Sequence, residues 1–327
     1  MGTTPIVTGV DLGGTNVRAA AFDPNGKLLR HAQVPIQAAQ GPEAGLARIK
    51  TLIETVLGQI DQAELKGIGI GSTGPLDRET GRIQNPYTLP TWEDVDIVSA
   101  LSTRFSVPVA LENDADTAAL GEYWQGAGKG ISRLLALTIG TGVGTAVILG
   151  GEVYRGWRGI HGEGGHHVVD PSGPLCYCGA RGCMEILVAG PSIARLAQEA
   201  VAAASDGHRP AWVPANLSDI DARMVSQAAR NGDPLASALM QSAASHIAVG
   251  LLNMITFFVP EVIVLSGSVM NDYDLFEPTI RSYLSQCSIL VPSSSINIVM
   301  AELGNDAGVY GAAYAILREL NYLASQA

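Results

Sequence analysis

A glycine-rich hairpin occurs twice in this chain. Residues 7 to 29, VTGVDLGGTNVRAAAFDPNGKLL, read as an apolar strand, a Gly-rich turn, an Ala-rich strand and a second turn at DPNGK. Residues 134 to 154, LLALTIGTGVGTAVILGGEVY, repeat that order and add a third short strand. The repetition predicts a duplicated α/β fold. Gly13, Gly14, Gly140, Gly142 and Gly144 carry no Cβ, so backbone N–H groups in both turns can approach an anion and line a phosphate nest. Two such nests facing one another can hold the ends of a triphosphate. Asp11 ends the first strand, where a carboxylate can hold Mg²⁺ through water, and Thr15, Asn16 and Thr141 add polar groups. DLGGTN is not G-x-G-x-x-G and leads into a strand rather than a helix, which argues against a dinucleotide-binding fold.

The 327 residues are enough for two domains, and 47% hydrophobic with 16% charged residues suits a compact globular chain. A formal net charge of −11 opposes binding to nucleic acid or to anionic membranes. The N-terminal residues lack the basic start and apolar run of a signal peptide, so a cytoplasmic protein is expected. The most apolar stretch, from Ile247, is too short to span a bilayer and reads as a buried helix. Helices are expected near 43–60, 94–106, 190–205 and 220–258 and at the C-terminus from Gly308, with strands near 262–266 and 296–300. The Pro- and Ser-containing stretch ASDGHRPAWVPANLSD, residues 204–219, reads as a surface insertion.

In LENDADTAALGE a strand ends and a helix begins, placing Glu112, Asn113, Asp114 and Asp116 at a helix N-terminus. Asn and Asp there serve as caps. A carboxylate at the carboxyl edge of an α/β sheet is also placed to take a proton from a substrate hydroxyl as it attacks phosphorus. Three of the four cysteines fall in LCYCGARGC, as C-x-C-x₄-C at Cys176, Cys178 and Cys183. In a reducing compartment this cluster points to metal, three soft ligands needing one more donor from His161, His166 or His167. Cys287 reads as an isolated buried thiol.

DLGGTN, ENDAD, IGTGVGTAVI, GEGGHH and CYCGARGCME resemble, in this order and over nearly the whole chain, the ROK family of sugar kinases and related repressors. The resemblance implies the duplicated RNase H-like fold of actin and hexokinase, with ATP and a hexose in a cleft between two domains. It implies a small domain over 1–114 with a helix near 313–327 packing back on it, and a large domain over 115–312 carrying a zinc loop. Asp114 resembles the catalytic base. Asn113, Glu163, His166 and Glu185 resemble sugar ligands, as do Gly74 in GSTGPLD and Asn85 and Thr88 in NPYTLPTW. Gly13 to Asn16 and Gly140 to Gly144 resemble the phosphate grip, and Gly267 with Ser268 the adenosine side. The family pattern favours His166 as the fourth zinc ligand, in a structural Cys₃His site with no open position.

The sequence departs from that pattern at Thr88, at Ser266 and Ser268 where relatives often carry glycines, and at Asp116, which replaces an Asn common after the base. The activity implied is ATP-dependent phosphorylation of a hexose 6-hydroxyl, with glucose first and N-acetylmannosamine, N-acetylglucosamine, fructose, mannose and allose as alternatives. Polyphosphate is an alternative donor, and a homodimer or homotetramer is implied. A sugar-sensing repressor is disfavoured, because the first phosphate strand starts by about residue 6, leaving no DNA-binding module ahead of it, and the chain is acidic.

Overall fold

The computed structural model describes residues 3–203 and 209–322. The chain opens as a meander, β1 (Thr4–Leu12), β2 (Asn16–Phe22) and β3 (Leu28–Pro35), and crosses through helix α1 (Pro42–Leu57) to β4 (Ala63–Ser72). A small sheet follows, β5 (Leu76–Asp77), β6 (Arg82–Ile83) and β7 (Val95–Asp96), then α2 (Ile97–Phe105), β8 (Val109–Asn113) and α3 (Asp114–Gln125). The second meander is β9 (Arg133–Ile139), β10 (Val143–Leu149) and β11 (Glu152–Val153). Beyond it come α4 (Met184–Val188), α5 (Gly190–Ala203), α6 (Ala222–Arg230) and α7 (Pro234–Phe258). The chain then runs through β12 (Val262–Ser266), α8 (Tyr273–Gln286), β13 (Asn297–Met300) and α9 (Ala307–Glu319).

Two five-stranded sheets share one plan, with orders β3-β2-β1-β4-β8 and β11-β10-β9-β12-β13. In the first, β1 pairs antiparallel with β2 and parallel with β4, and β4 pairs parallel with β8. In the second, β12 and β13 are likewise parallel. The duplication expected from the two hairpins is therefore present in the topology. In β1 every residue from Ile6 to Val10 is buried, as befits a central strand covered on both faces.

The contacts gather the chain into two compact units. The first holds the residues through Leu134, Ala146–His161 and those from Ala301 on; the second holds Leu135–Thr145 and Gly162–Met300. The sequence-based boundary after residue 114 thus differs from this division, because α3 belongs with the first sheet. Its packing against α9 explains why: a side chain at Gly121 would strike the Ala307 carbonyl, and one at Gly311 the Thr117 carbonyl. Gly9 and Gly69 similarly let α9 lie directly on the backbones of β1 and β4. The C-terminal helix does pack on the first sheet, running over Ala307–Glu319, while residues 323–327 of the expected helix lie outside the described residues.

The helix expected over 220–258 is two. Asn231–Gly232 interrupts it, with Gly232 at φ 81°, and Asp233 caps α7 by accepting from Ala236 N at 2.9 Å ahead of Pro234. By length and composition α7 could cross a membrane, but it packs against α4, α6 and α8 as a core helix. Helix α8, with Pro278 inside it and many polar residues, was not anticipated. The first five residues of the expected surface insertion lie outside the described residues; the remainder forms turns and one short 3-10 helix at Leu217–Asp219.

Candidate active site and metal centre

In the first unit, β8 delivers its last residue, Asn113, as the cap of α3: Asn113 Oδ1 accepts from Ala115 N at 2.8 Å. Capping and site chemistry are not exclusive here. The Asn113 amide nitrogen faces Gly74, where a Cβ would sit 3.2 Å away. Asp114 opens the helix, and its Oδ1 accepts from the same Ala115 N at 2.9 Å. Protein surrounds this carboxylate although one side stays open to solvent. Burial raises its pKa to about 6, opposed by the Ala115 N–H, while the charge of Asp11 raises it further and His161 lowers it.

Asp11, the penultimate residue of β1, receives Arg18 Nη1 at 3.0 Å. Burial still pushes its carboxyl above the ordinary range despite that guanidinium. The start of α9 comes close, since a Cβ on Gly308 would lie 2.8 Å from the Asp11 carboxyl carbon. Gly13 N donates to Asn16 O at 3.0 Å and closes the first Gly-rich turn around Gly14 and Thr15. Gly14 must lack a side chain, because a Cβ there would stand 2.8 Å from Thr88 O. Thr88 is exposed and shares a hydroxyl contact of 3.0 Å with Thr73. Asn85 is fully buried and spends both ends of its amide on this loop, Nδ2 donating to Thr73 and Thr88 and Oδ1 accepting from the N–H groups of Tyr87 and Thr88.

An ion-pair network missed by sequence reasoning brackets Asp114. Buried Glu112 receives Arg78 Nη2 at 2.7 Å and Arg155 Nη2 at 2.6 Å. Asp116, 1% exposed, is held by His161 Nδ1 at 2.9 Å, with Arg155 Nε 3.8 Å from its other oxygen. The available signal was YRGWRG, two arginines among glycines shortly before the metal loop.

In the second unit, His166, Cys176, Cys178 and Cys183 place their ligand atoms within 4.8 Å of one another. Cys176 Sγ lies 3.5 Å from His166 Nδ1, and Cys178 Sγ 3.5 Å from Cys183 Sγ. These spacings approximate the edges of about 3.5 to 3.8 Å that bond lengths of about 2.0 to 2.3 Å give around a tetrahedral ion. Burial and the neighbouring sulfurs push the Cys183 thiol up to about 12, so three thiolates together call for a cation among them. Among the three candidate histidines only His166 joins the sulfurs. His161 is on Asp116, and His167 Nδ1 faces the Gly164 carbonyl. His166 Nε2 points the other way, 3.0 Å from Tyr177 Oη and 3.9 Å from Glu185 Oε1. Glu185 is tied to the second Gly-rich turn, its Oε2 accepting from Val143 N at 2.8 Å. Glu163 is exposed just ahead of His166.

That turn is closed by Gly140 N donating to Gly142 O at 2.9 Å, one residue tighter than the Gly13–Asn16 bond of the first. It borders a pocket of about 540 Å³ lined by Gly140, Thr141, Gly190, Asp221, Arg223 and Ser268 among others. Gly267, at φ 94°, adjoins it, and a side chain there would strike the Ile139 carbonyl. The α5 and α6 wall of this pocket was not foreseen, since Asp221 and Arg223 carry no motif.

The family model described as ROK family matches residues 7–319. The chain belongs to the ROK family. This ROK protein is 34% identical over 315 residues to a glucokinase of Thermotoga maritima, covering 95% of this chain and 96% of that one. Among solved structures it resembles a ROK hexokinase from Thermus thermophilus, with TM-score 0.83, 34% identity and coverage of 96% and 99% of the two chains. It also resembles a ROK family glucokinase from Streptomyces griseus in complex with glucose and AMPPNP, with TM-score 0.73, 30% identity and coverage of 94% and 98%. The duplicated RNase H-like fold of the hexokinases is thereby established for this ROK protein.

Proposed function

We propose that this ROK protein transfers the γ-phosphoryl group of ATP to the 6-hydroxyl of glucose. The glucokinase relatives make it a hexose kinase. One observation carries the chemistry: a carboxylate at a helix N-terminus with a pKa of about 6 is basic enough to take a hydroxyl proton and still ionised at neutral pH. Asp114 is therefore the general base. Its proton comes from the sugar hydroxyl as the oxygen attacks phosphorus, and the hydrogen bond from Ala115 N orients the carboxylate.

Sugar hydroxyls are assigned to Gly74, Thr88, Asn113, Asp114, Glu163, His166 and Glu185. Asn85 acts by shaping the Thr73–Thr88 loop, which suits its complete burial. The phosphates are assigned to the turns at Gly13, Gly14, Thr15 and Asn16 and at Gly140, Thr141, Gly142 and Gly144. The adenosine is assigned to the pocket beside Gly267 and Ser268, whose volume of about 540 Å³ suits a nucleoside. Asp11 would hold Mg²⁺ through water; when bound, the ion neutralises charge spread over the phosphates.

The Cys₃His cluster fits Zn²⁺ by donor type and spacing, and four protein ligands leave no position for a reactive water. Its role is structural. With Nδ1 on the metal, His166 presents Nε2 beside Glu185, so the ion fixes the orientation of a sugar-binding imidazole. A cytoplasmic homodimer or homotetramer completes the proposal.

ADP production from Mg-ATP, measured across glucose, mannose, fructose, allose, N-acetylglucosamine and N-acetylmannosamine, tests it. Glucose should give the highest kcat/KM. A different preferred hexose would overturn the substrate, and silence with every sugar, with polyphosphate also tried as donor, would overturn the kinase.

A further inference from the structure

The segment from Arg155 to His161 forms a small loop closed by Gly156 N donating to Ile160 O at 2.9 Å. Its tip is exposed, with Arg158 stacked 4.2 Å from the Trp157 ring. Its two ends are fastened beside the base. Arg155 Nη2 grips Glu112 at 2.6 Å, two residues before Asp114, and His161 Nδ1 grips Asp116 at 2.9 Å, two residues after it. The Asp116 attachment depends on His161, because Asp116 Oδ2 and Arg155 Nε, 3.8 Å apart, have no hydrogen-bond partner. A buried carboxylate needs such a partner to stay ionised in place.

We propose that His161 is a positioning residue for the phosphoryl transfer: through Asp116 it fastens this loop onto the first turn of α3 and so fixes the carboxylate of Asp114. The inference rests on the reading of Asp114 as the base. The charged groups around Asp114 are Asp11 with Arg18 and Asp306 from one side, Glu112 with Arg78 and Arg155 from β8, Asp116 on its own helix, and His161. That set holds four carboxylates besides Asp114 and three guanidinium groups. A protonated His161 therefore tips the balance toward an ionised base, and a neutral one still donates from Nδ1 to Asp116. His161 thus acts by geometry in either protonation state, and by charge only when protonated.

Three variants test this in the full chain with Mg-ATP and the preferred hexose. His161→Ala should lower kcat about ten- to a hundredfold with KM for ATP unchanged, as expected of a misplaced reactive group, and should move the acid limb of kcat/KM to higher pH. His161→Gln should restore most of the plateau kcat, since its amide can donate to Asp116, while keeping the displaced acid limb. Asp116→Asn combined with His161→Ala should recover part of the loss of His161→Ala alone, because it removes the unpaired buried charge. A wild-type kcat and pH profile in His161→Ala would overturn the inference. So would equal losses in all three variants accompanied by equal falls in thermal midpoint, the signature of a purely structural residue. Asp114→Asn serves as the separate control: if it keeps full turnover, the base reading fails and takes this inference with it; if it abolishes turnover while His161→Ala is unaffected, only this inference fails.

Discussion

Replacing Asp114 by Asn should raise stability while it destroys activity. Burial lifts the Asp114 carboxyl from 3.8 to about 6. An acid with a raised folded value holds its proton more tightly in the folded chain than in the unfolded one. The folded state is therefore penalised as pH rises past 3.8, and the full penalty is present above about 6. A shift of that size corresponds to about 3 kcal/mol as a ceiling, and solvent at the open side of the carboxylate lowers it. Asn carries no charge to desolvate, and its Oδ1 can accept from Ala115 N as the carboxylate does.

The assay is thermal unfolding of wild type and Asp114→Asn without sugar or nucleotide, at pH 8 and at pH 4. The variant should be the more stable at pH 8, with most of the advantage gone at pH 4, where the wild-type carboxyl is largely protonated when folded. Turnover should fall about 10²- to 10⁴-fold, the usual contribution of a general base. In the wild type, kcat/KM should decline on the acid side with a midpoint near 6, since about nine-tenths of the Asp114 carboxyl of the free protein is ionised at pH 7 and about one-tenth at pH 5. An Asn variant less stable than wild type at pH 8, or a stability difference independent of pH, would refute the claim that burial is what raises this group.

On the proposed zinc site, exhaustive metal removal under reducing conditions should weaken glucose binding by about tenfold or more, because a bound ion would orient His166 beside Glu185; calorimetry on verified zinc-free protein checks it, and unchanged affinity would sink the stapling role. Gly267→Ala places a Cβ against the Ile139 carbonyl at φ 94°, a strain of about 1–3 kcal/mol at the edge of the pocket proposed for adenosine. It should raise KM for ATP more than KM for the sugar. Glu122→Ala should lower stability by about 3 kcal/mol or more, since Glu122 is buried and accepts from the N–H groups of Ala127, Glu302 and Leu303 at 2.8 to 3.0 Å. Denaturant unfolding would detect it, and a change within about 0.5 kcal/mol would mean that water replaces the carboxylate.

What the sequence discloses depends on how far apart cooperating residues lie. The two Gly-rich turns are legible because each is a local device: a strand, a turn that tolerates no side chain, and a returning strand all fall within one short window. The His and Cys cluster is legible for the same reason, its four residues falling between His166 and Cys183. The choice of histidine is not, since His161, His166 and His167 are near-equivalent in spacing, and only the folded loop turns one ring toward the sulfurs and another toward Asp116. The break between α6 and α7 was signalled by Asn-Gly-Asp-Pro, a local stop and start that helical periodicity on both sides concealed. By contrast, the network around Asp114 joins Glu112 to Arg78 and Arg155 and Asp116 to His161 across separations of 34, 43 and 45 residues. No spacing rule connects such positions. The one clue was energetic: an acid at 116, beside a base and buried, must find a cation or a donor somewhere, and the sequence records the need without naming the partner. An unusual charge in a buried motif is thus best read as half of a pair, and here its other half is the histidine that spacing had made a candidate for the metal.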